Sequence, residues 1–113
     1  MKEYSTSINP MALESIKNGS KTIEGRLRSP KFAKMKAGDF ITFYYNCDKI
    51  KTEISKIEYY LDFDTMLEKI DTSKLNSYFT EKNQLLNVYR KPSGFYHIAD
   101  ERRYGVMAIF LKI

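Results

Sequence analysis

Gly19-Ser-Lys-Thr-Ile-Glu-Gly-Arg26 brings Lys21, Glu24 and Arg26, two permanent cations and one carboxylate, onto one short run of chain. Such a set can hold a phosphate or a base edge through charge-assisted hydrogen bonds, with the carboxylate free to accept a proton or an amino donor. Thr22 sets a hydroxyl beside them. The bland alternative is an ordinary strand network in which Glu24 and Arg26 pair on one face while Lys21 stays solvated at a helix terminus. Strict strand alternation puts Lys21 and Glu24 on opposite faces. Their convergence therefore requires that the strand start after Lys21 or bulge near Gly25. The long lysine stem lets its ammonium curl round a strand end.

The flanking elements must position these groups. Lys2 to Ile8 reads as a first strand, and Asn9-Pro10 supplies an N-cap and a first-turn proline for a helix over Pro10–Asn18. Met11, Leu13 and Ile16 lie at near-helical spacing, and Gly19 suits a left-handed helix end. Lys21 to Leu27 is then a strand, with Ile23 and Leu27 on one face and Thr22, Glu24 and Arg26 on the other. Phe40–Tyr45 and Lys49–Tyr60 form a hairpin about Asn46-Cys-Asp48. Asp62 opens a short helix that turns Phe63, Met66, Leu67 and Ile70 inward. Glu81–Arg90 suits a third helix that buries Leu85, Leu86 and Tyr89. Lys91-Pro-Ser-Gly94 breaks the pattern, and Tyr104–Ile113 is a closing strand. Short helices between strands imply a small mixed α+β barrel.

Length limits the chain to one domain, residues 1–113. No apolar run is long enough to span a membrane, and the N-terminus lacks the pattern of a secretory signal, so the expected compartment is the cytoplasm. The single cysteine, Cys47, and the single histidine, His97, provide neither an internal disulfide nor a zinc site, so no metal and no cofactor is expected. Nineteen Lys and Arg against fourteen Asp and Glu give a net charge of +5, which favours polyanionic partners. Nine Tyr and seven Phe offer stacking surfaces for unpaired bases as well as core volume.

Gly19, Lys21, Glu24 and Arg26 stand at the spacing G-x-K-x-x-E-x-R, which resembles the signature of the ASCH domain. Three segments downstream resemble that family's other landmarks: the Gly-Asp turn into a strand at Met35–Phe43, the aromatic followed by Met-Leu at Asp62–Leu67, and the acidic residue followed by Tyr-Gly-Val-x-Ala-Ile at Glu101–Ile109. Each motif is short, but the four in order cover nearly the whole chain. The resemblance implies a PUA-like β-barrel of about five or six strands with two or three short flanking helices. It also implies a cleft where the signature strand meets the acidic C-terminal segment.

In such a cleft Glu101 is the second carboxylate, and two acids in one pocket can split their pKa values into a base and an acid. The plain alternative for Asp100-Glu-Arg-Arg103 is a solvated charged turn before the last strand. His97 is either a proton shuttle beside that turn or a packed or surface residue. Tyr89 and Tyr96 either stack a base or fill the core. The leading expectation is a module for RNA, single-stranded nucleic acid or a nucleotide. Lys21 and Arg26 would bind phosphate or carbonyl oxygens and Glu24 a base amino group, with Thr22, Tyr96 and Arg103 completing the binding set.

The resemblance also carries a hydrolytic alternative with Lys21, Glu24 and Glu101 as catalytic residues, because one ASCH branch hydrolyses the amide of N4-acetylcytidine and ribonuclease activity has been attributed to others. That branch uses lysine, threonine and glutamate, and it has threonine where this chain has Glu24. Thr22 is then the nearest hydroxyl. A third alternative is a protein-interaction module built on exposed aromatics of Ser73–Gly94.

Overall fold

Asn9 caps the first helix through its side-chain oxygen, which accepts from the Ala12 N–H at 2.8 Å, and Pro10 occupies the first turn. The helix ends at Gly19, whose φ of +84° places it in the left-handed region open to glycine. The computed structural model describes residues 1–113. Its strands are β1 (Glu3–Ser7), β2 (Ile23–Leu27), β3 (Phe40–Tyr45), β4 (Asp48–Tyr60) and β5 (Val106–Lys112). Its helices are α1 (Pro10–Lys17), α2 (Phe63–Lys69), α3 (Thr72–Leu75), α4 (Lys82–Tyr89) and α5 (Ile98–Tyr104).

The β3–β4 hairpin closes on Tyr45 opposite Asp48, leaving Asn46-Cys47 as a two-residue turn with Asn46 at φ +53°. The strands form one sheet in the order β1-β3-β4-β5-β2, with β1 parallel to β3 and the other pairs antiparallel. A register shift between Ile54 and Lys56 marks a bulge in the long β4, the kind of irregularity that bends a strand. β1 and β2 are the two edges of this sheet. Yet Arg26 on β2 donates to Thr6 Oγ1 at 3.1 Å and to the Ser7 carbonyl at 3.2 Å on β1. Two opposite edges can meet through one side chain only if the sheet curls. The expected α+β barrel is thus a five-stranded half-barrel, with Arg26 clasping its seam.

Two apolar cores lie on the two faces of that sheet. Inside the curl, Leu13 and Ile16 of α1 pack with Phe32, Met35, Ile41, Phe43, Ile54, Met107 and Ile109. On the outer face, Phe63, Met66 and Leu67 of α2, Leu75 of α3 and Leu85 and Tyr89 of α4 cover Ile23, Leu27, Val106 and Ala108. β5 therefore buries both faces, which explains its unbroken apolar run. Five helices stand where two or three are expected. The additions are α3, one turn capped by the Asp71 side chain, and α5, which stands where the alternative reading had a solvated charged turn at Asp100–Arg103.

Candidate functional site

β2 begins at Ile23, two residues later than the sequence suggests, and this resolves the alternation conflict. Lys21 precedes the strand, where its backbone N–H binds the Ser15 carbonyl at 3.0 Å and its side chain is free to curl toward Glu24. The ammonium is buried. It donates to the Ile23 carbonyl at 2.6 Å and the Leu75 carbonyl at 2.7 Å, and it lies 3.0 Å from Glu24 Oε1. An ammonium has three N–H donors, so all of them are spent within the protein. Glu24 Oε2 accepts from Arg26 Nε at 2.6 Å. Glu24 and Arg26 register with Ile109 and Met107 of β5 and so face the inner core.

Burial pushes the Glu24 carboxyl up, but the Lys21 and Arg26 cations beside it outweigh that effect and hold it below the ordinary carboxylate range. Two cations share one carboxylate, so the triad keeps a net positive charge. Arg26 spends three N–H donors on Glu24, Thr6 and Ser7, which leaves part of its fork unspent.

Gly25 faces the opposite core, and an added Cβ there would stand 2.7 Å from the Tyr89 hydroxyl and 3.1 Å from Met66 Cε. Glycine is needed at position 25, between the signature Glu24 and Arg26, because a tyrosine crosses directly over it. Tyr89 stacks on Phe63 with ring centroids 4.2 Å apart and planes 7° apart, and Tyr96 stacks on the same ring at 5.6 Å. Burial raises the pKa of the Tyr96 hydroxyl against the opposing pull of the nearby Arg26 cation. Gly25→Ala is expected to destabilise the protein by about 1–3 kcal/mol through overpacking. Tyr89→Phe, which deletes the obstructing hydroxyl, should recover part of that loss in the Gly25→Ala background. Denaturant melts of the two single variants and the double variant measure the coupling; strictly additive effects would contradict the contact.

Glu101 is 0% exposed and lies on α5. Its carboxylate takes a two-point bond from Arg90, at 2.7 Å to Nε and 2.9 Å to Nη2, and accepts the Phe63 N–H at 3.0 Å. It shares no partner with Glu24. The structure thus brings Lys21, Glu24, Arg26 and Tyr96 together and places Glu101 in a separate cluster that ties α5 to α4 and the start of α2. Thr22 bridges α3 and β5 through its backbone, donating to the Lys74 carbonyl and accepting from the Leu111 N–H. His97 is exposed at the N-cap of α5. Tyr78 and Phe79 are exposed in the segment after α3, and Phe95 is exposed just beyond Gly94. No cluster of three or more His, Cys, Asp or Glu side chains gathers anywhere in the fold, and no helix is long and apolar enough to cross a membrane.

Arg103, the remaining expected ligand-binding residue, lines a different cleft of about 390 Å³ where β2 and β4 end and β5 begins. Arg28, Arg102, Tyr59 and Tyr104 line it too, and none of these was given a ligand-binding role from sequence. Arg28 follows the signature strand directly. Tyr59 and Arg26 both register with Met107, so the tyrosine stands two strands away in the same row as the signature arginine. Only the strand order reveals that neighbourhood.

Residues 7–109 match the ASCH domain. The chain is similar over 99% of its length to the crystal structure of hypothetical protein PH0355, with 33% identity, a TM-score of 0.87 and 98% of that chain covered. It is similar in the same way to protein PF0455 from Pyrococcus furiosus, with 32% identity, a TM-score of 0.77 and 99% and 96% of the two chains covered. The crystal structure of ASCH from Zymomonas mobilis aligns with 98% of this chain and 67% of that one, at 18% identity and a TM-score of 0.58, a likeness of fold. No curated protein matches the chain.

Proposed function

The chain belongs to the ASCH domain family, and from that premise we propose that it binds RNA or a nucleotide at the seam of the half-barrel, with Arg26 as the contacting cation. The observation that carries this reading is the charge count of the buried triad. Lys21 and Arg26 share Glu24, and the uncompensated positive charge sits where Arg26 still has N–H donors to offer. A phosphate or a base carbonyl completes that site electrostatically. Lys21 acts by charge alone, because its donors are occupied. Glu24 stays ionised at neutral pH and fixes the two cations in place.

The same features weigh toward binding over hydrolysis. A general base works best with a pKa near the operating pH, whereas the Glu24 carboxyl is held low and both its oxygens are engaged. Arg26→Gln is expected to weaken RNA binding about tenfold and to lower the slope of log affinity against log salt by about 0.7, the contribution of one phosphate contact on a single strand. Fluorescence anisotropy of a labelled oligonucleotide across a salt series reads both quantities. Unchanged affinity and slope would overturn the assignment. Incubation with N4-acetylcytidine and with labelled RNA tests the alternative: product that disappears with Glu24→Gln would make the protein a hydrolase.

A further inference from the structure

We propose that the cleft at the end of β2, β4 and β5 is a second nucleic-acid contact, in which Arg28, Arg102 and Arg103 hold the phosphates of a single-stranded RNA and Tyr59 stacks one base. The inference takes its ligand class from the reading of the seam and adds a site to it. The chain has five arginines among its nineteen basic residues. Arg26 and Arg90 are committed to carboxylates, at 2.6 and 2.7 Å. The other three all lie in this cleft, exposed, and none of them forms a salt bridge, while of the eight salt bridges in the fold six use lysine and the other two use the half-buried Arg26 and Arg90. Arginine is the cation whose planar fork grips a phosphate at two points and stacks on aromatic faces. The gathering in this cleft of the three arginines without a carboxylate partner is a chemical distinction that overall charge does not capture.

The aromatic groups are arranged to match. The Arg28 guanidinium lies 4.8 Å from the centre of the Tyr59 ring and that of Arg103 lies 5.0 Å from the centre of Tyr104. Tyr59 is 50% exposed, so its ring offers a surface to an unpaired base. Gly105 lies between them with φ +75°, and its N–H and carbonyl tie α5 to Arg28: it donates to the Glu101 carbonyl at 2.7 Å and accepts from the Arg28 N–H at 2.9 Å. A Cβ at Gly105 would come 3.1 Å from the Tyr60 carbonyl. Arg28 lies two residues beyond Arg26, so a strand bound at the seam continues into the cleft over a short step of chain.

Anisotropy titrations with a labelled single-stranded RNA of about a dozen nucleotides, the matching single-stranded DNA and an RNA duplex provide the test, each across a salt series. The proteins compared are the unmodified chain, Arg28→Gln/Arg102→Gln/Arg103→Gln, Tyr59→Ala and Arg26→Gln. All four cleft residues are exposed, and thermal melts confirm that the variants fold. The triple variant is expected to reduce the salt slope by about 2, the sum for three phosphate contacts on a single strand. Tyr59→Ala is expected to weaken single-strand binding about tenfold with the slope unchanged, as loss of one stacked base does. If Arg26→Gln loses affinity while the triple variant keeps both affinity and slope, the cleft proposal is overturned and the seam reading stands. The converse pattern overturns the seam reading and keeps the cleft. Tighter binding of duplex that ignores Tyr59→Ala, or binding of phosphatidylserine vesicles with no RNA binding, would also overturn the cleft proposal.

Discussion

Lys21→Met, which keeps a buried stem but removes the ammonium, is expected to destabilise the protein by about 3–5 kcal/mol, the range for breaking a buried ion pair. For a domain of this size that lowers the thermal midpoint by roughly 15 °C. The loss has identifiable sources. Two buried carbonyls, of Ile23 and Leu75, lose a donor, and Glu24 is left with Arg26 alone. The Leu75 bond also ties α3 to the start of β2, so the variant loosens the helix as well as the charge pair.

A pH titration separates this account from simple repacking. The folded-state pKa of Glu24 lies below its ordinary value of 4.5 because Lys21 and Arg26 outweigh burial. A group depressed in the folded state contributes stability that is present above its unfolded pKa and is lost as pH falls through the folded one. Without Lys21 only Arg26 opposes burial, so the folded pKa rises and the acid limb of the stability curve moves to higher pH. Denaturant melts between pH 2 and 7 give that limb. A midpoint within a few degrees of the unmodified protein, with the acid limb unmoved, would return Lys21 to the solvated role that its sequence position first suggests.

What the sequence made legible was local. Asn9-Pro10 signals a helix start, Asn46-Cys-Asp48 a hairpin, and the alternation of Ile23, Glu24, Arg26 and Leu27 a two-faced strand; each of these is decided within a few residues. What it hid depends on distance and on backbone atoms. The partners of Glu101 lie 11 and 38 residues away, at Arg90 and Phe63, so its carboxylate read either as a second acid of the cleft or as part of a solvated turn. Two of the three Lys21 acceptors are main-chain carbonyls, which no residue type announces. α5 has two turns, no side-chain cap and mostly charged residues, so neither its start nor its period was visible. Arg28 and Arg102 are separated by most of the chain and meet only because β2 pairs with β5. The family landmarks did register these places, but as motifs and not as contacts.

Those landmarks are physically linked, and Glu101→Ala is the variant that exposes the link. The substitution leaves the Arg90 guanidinium and the Phe63 N–H without their acceptor and opens a cavity at a fully buried position, so about 3–5 kcal/mol of stability should go with it. Glu101→Gln keeps an oxygen for the Phe63 N–H and loses only the charge, so its effect should be smaller, about 1–2 kcal/mol. Phe63 carries the consequence toward the signature strand, since Tyr89 and Tyr96 both stack on its ring, the Tyr89 hydroxyl lies over Gly25, and the Arg26 cation bears on the Tyr96 hydroxyl. Burial holds the Tyr89 hydroxyl well above its ordinary pKa of 10. A group raised in the folded state contributes stability that is full below its unfolded pKa and is lost as pH rises toward the folded one. In Glu101→Ala the loosened stack should let tyrosine titrate closer to pH 10, measured by ultraviolet absorbance of phenolate, while the Gln variant keeps the high titration. An alanine variant as stable as the unmodified protein, with tyrosines that titrate as before, would sever the acidic segment from the signature strand. The expected outcome makes Glu101 a positioning residue that acts on Arg26 through Phe63 and Tyr96, and it accounts for the two motifs occurring together without requiring their carboxylates to meet.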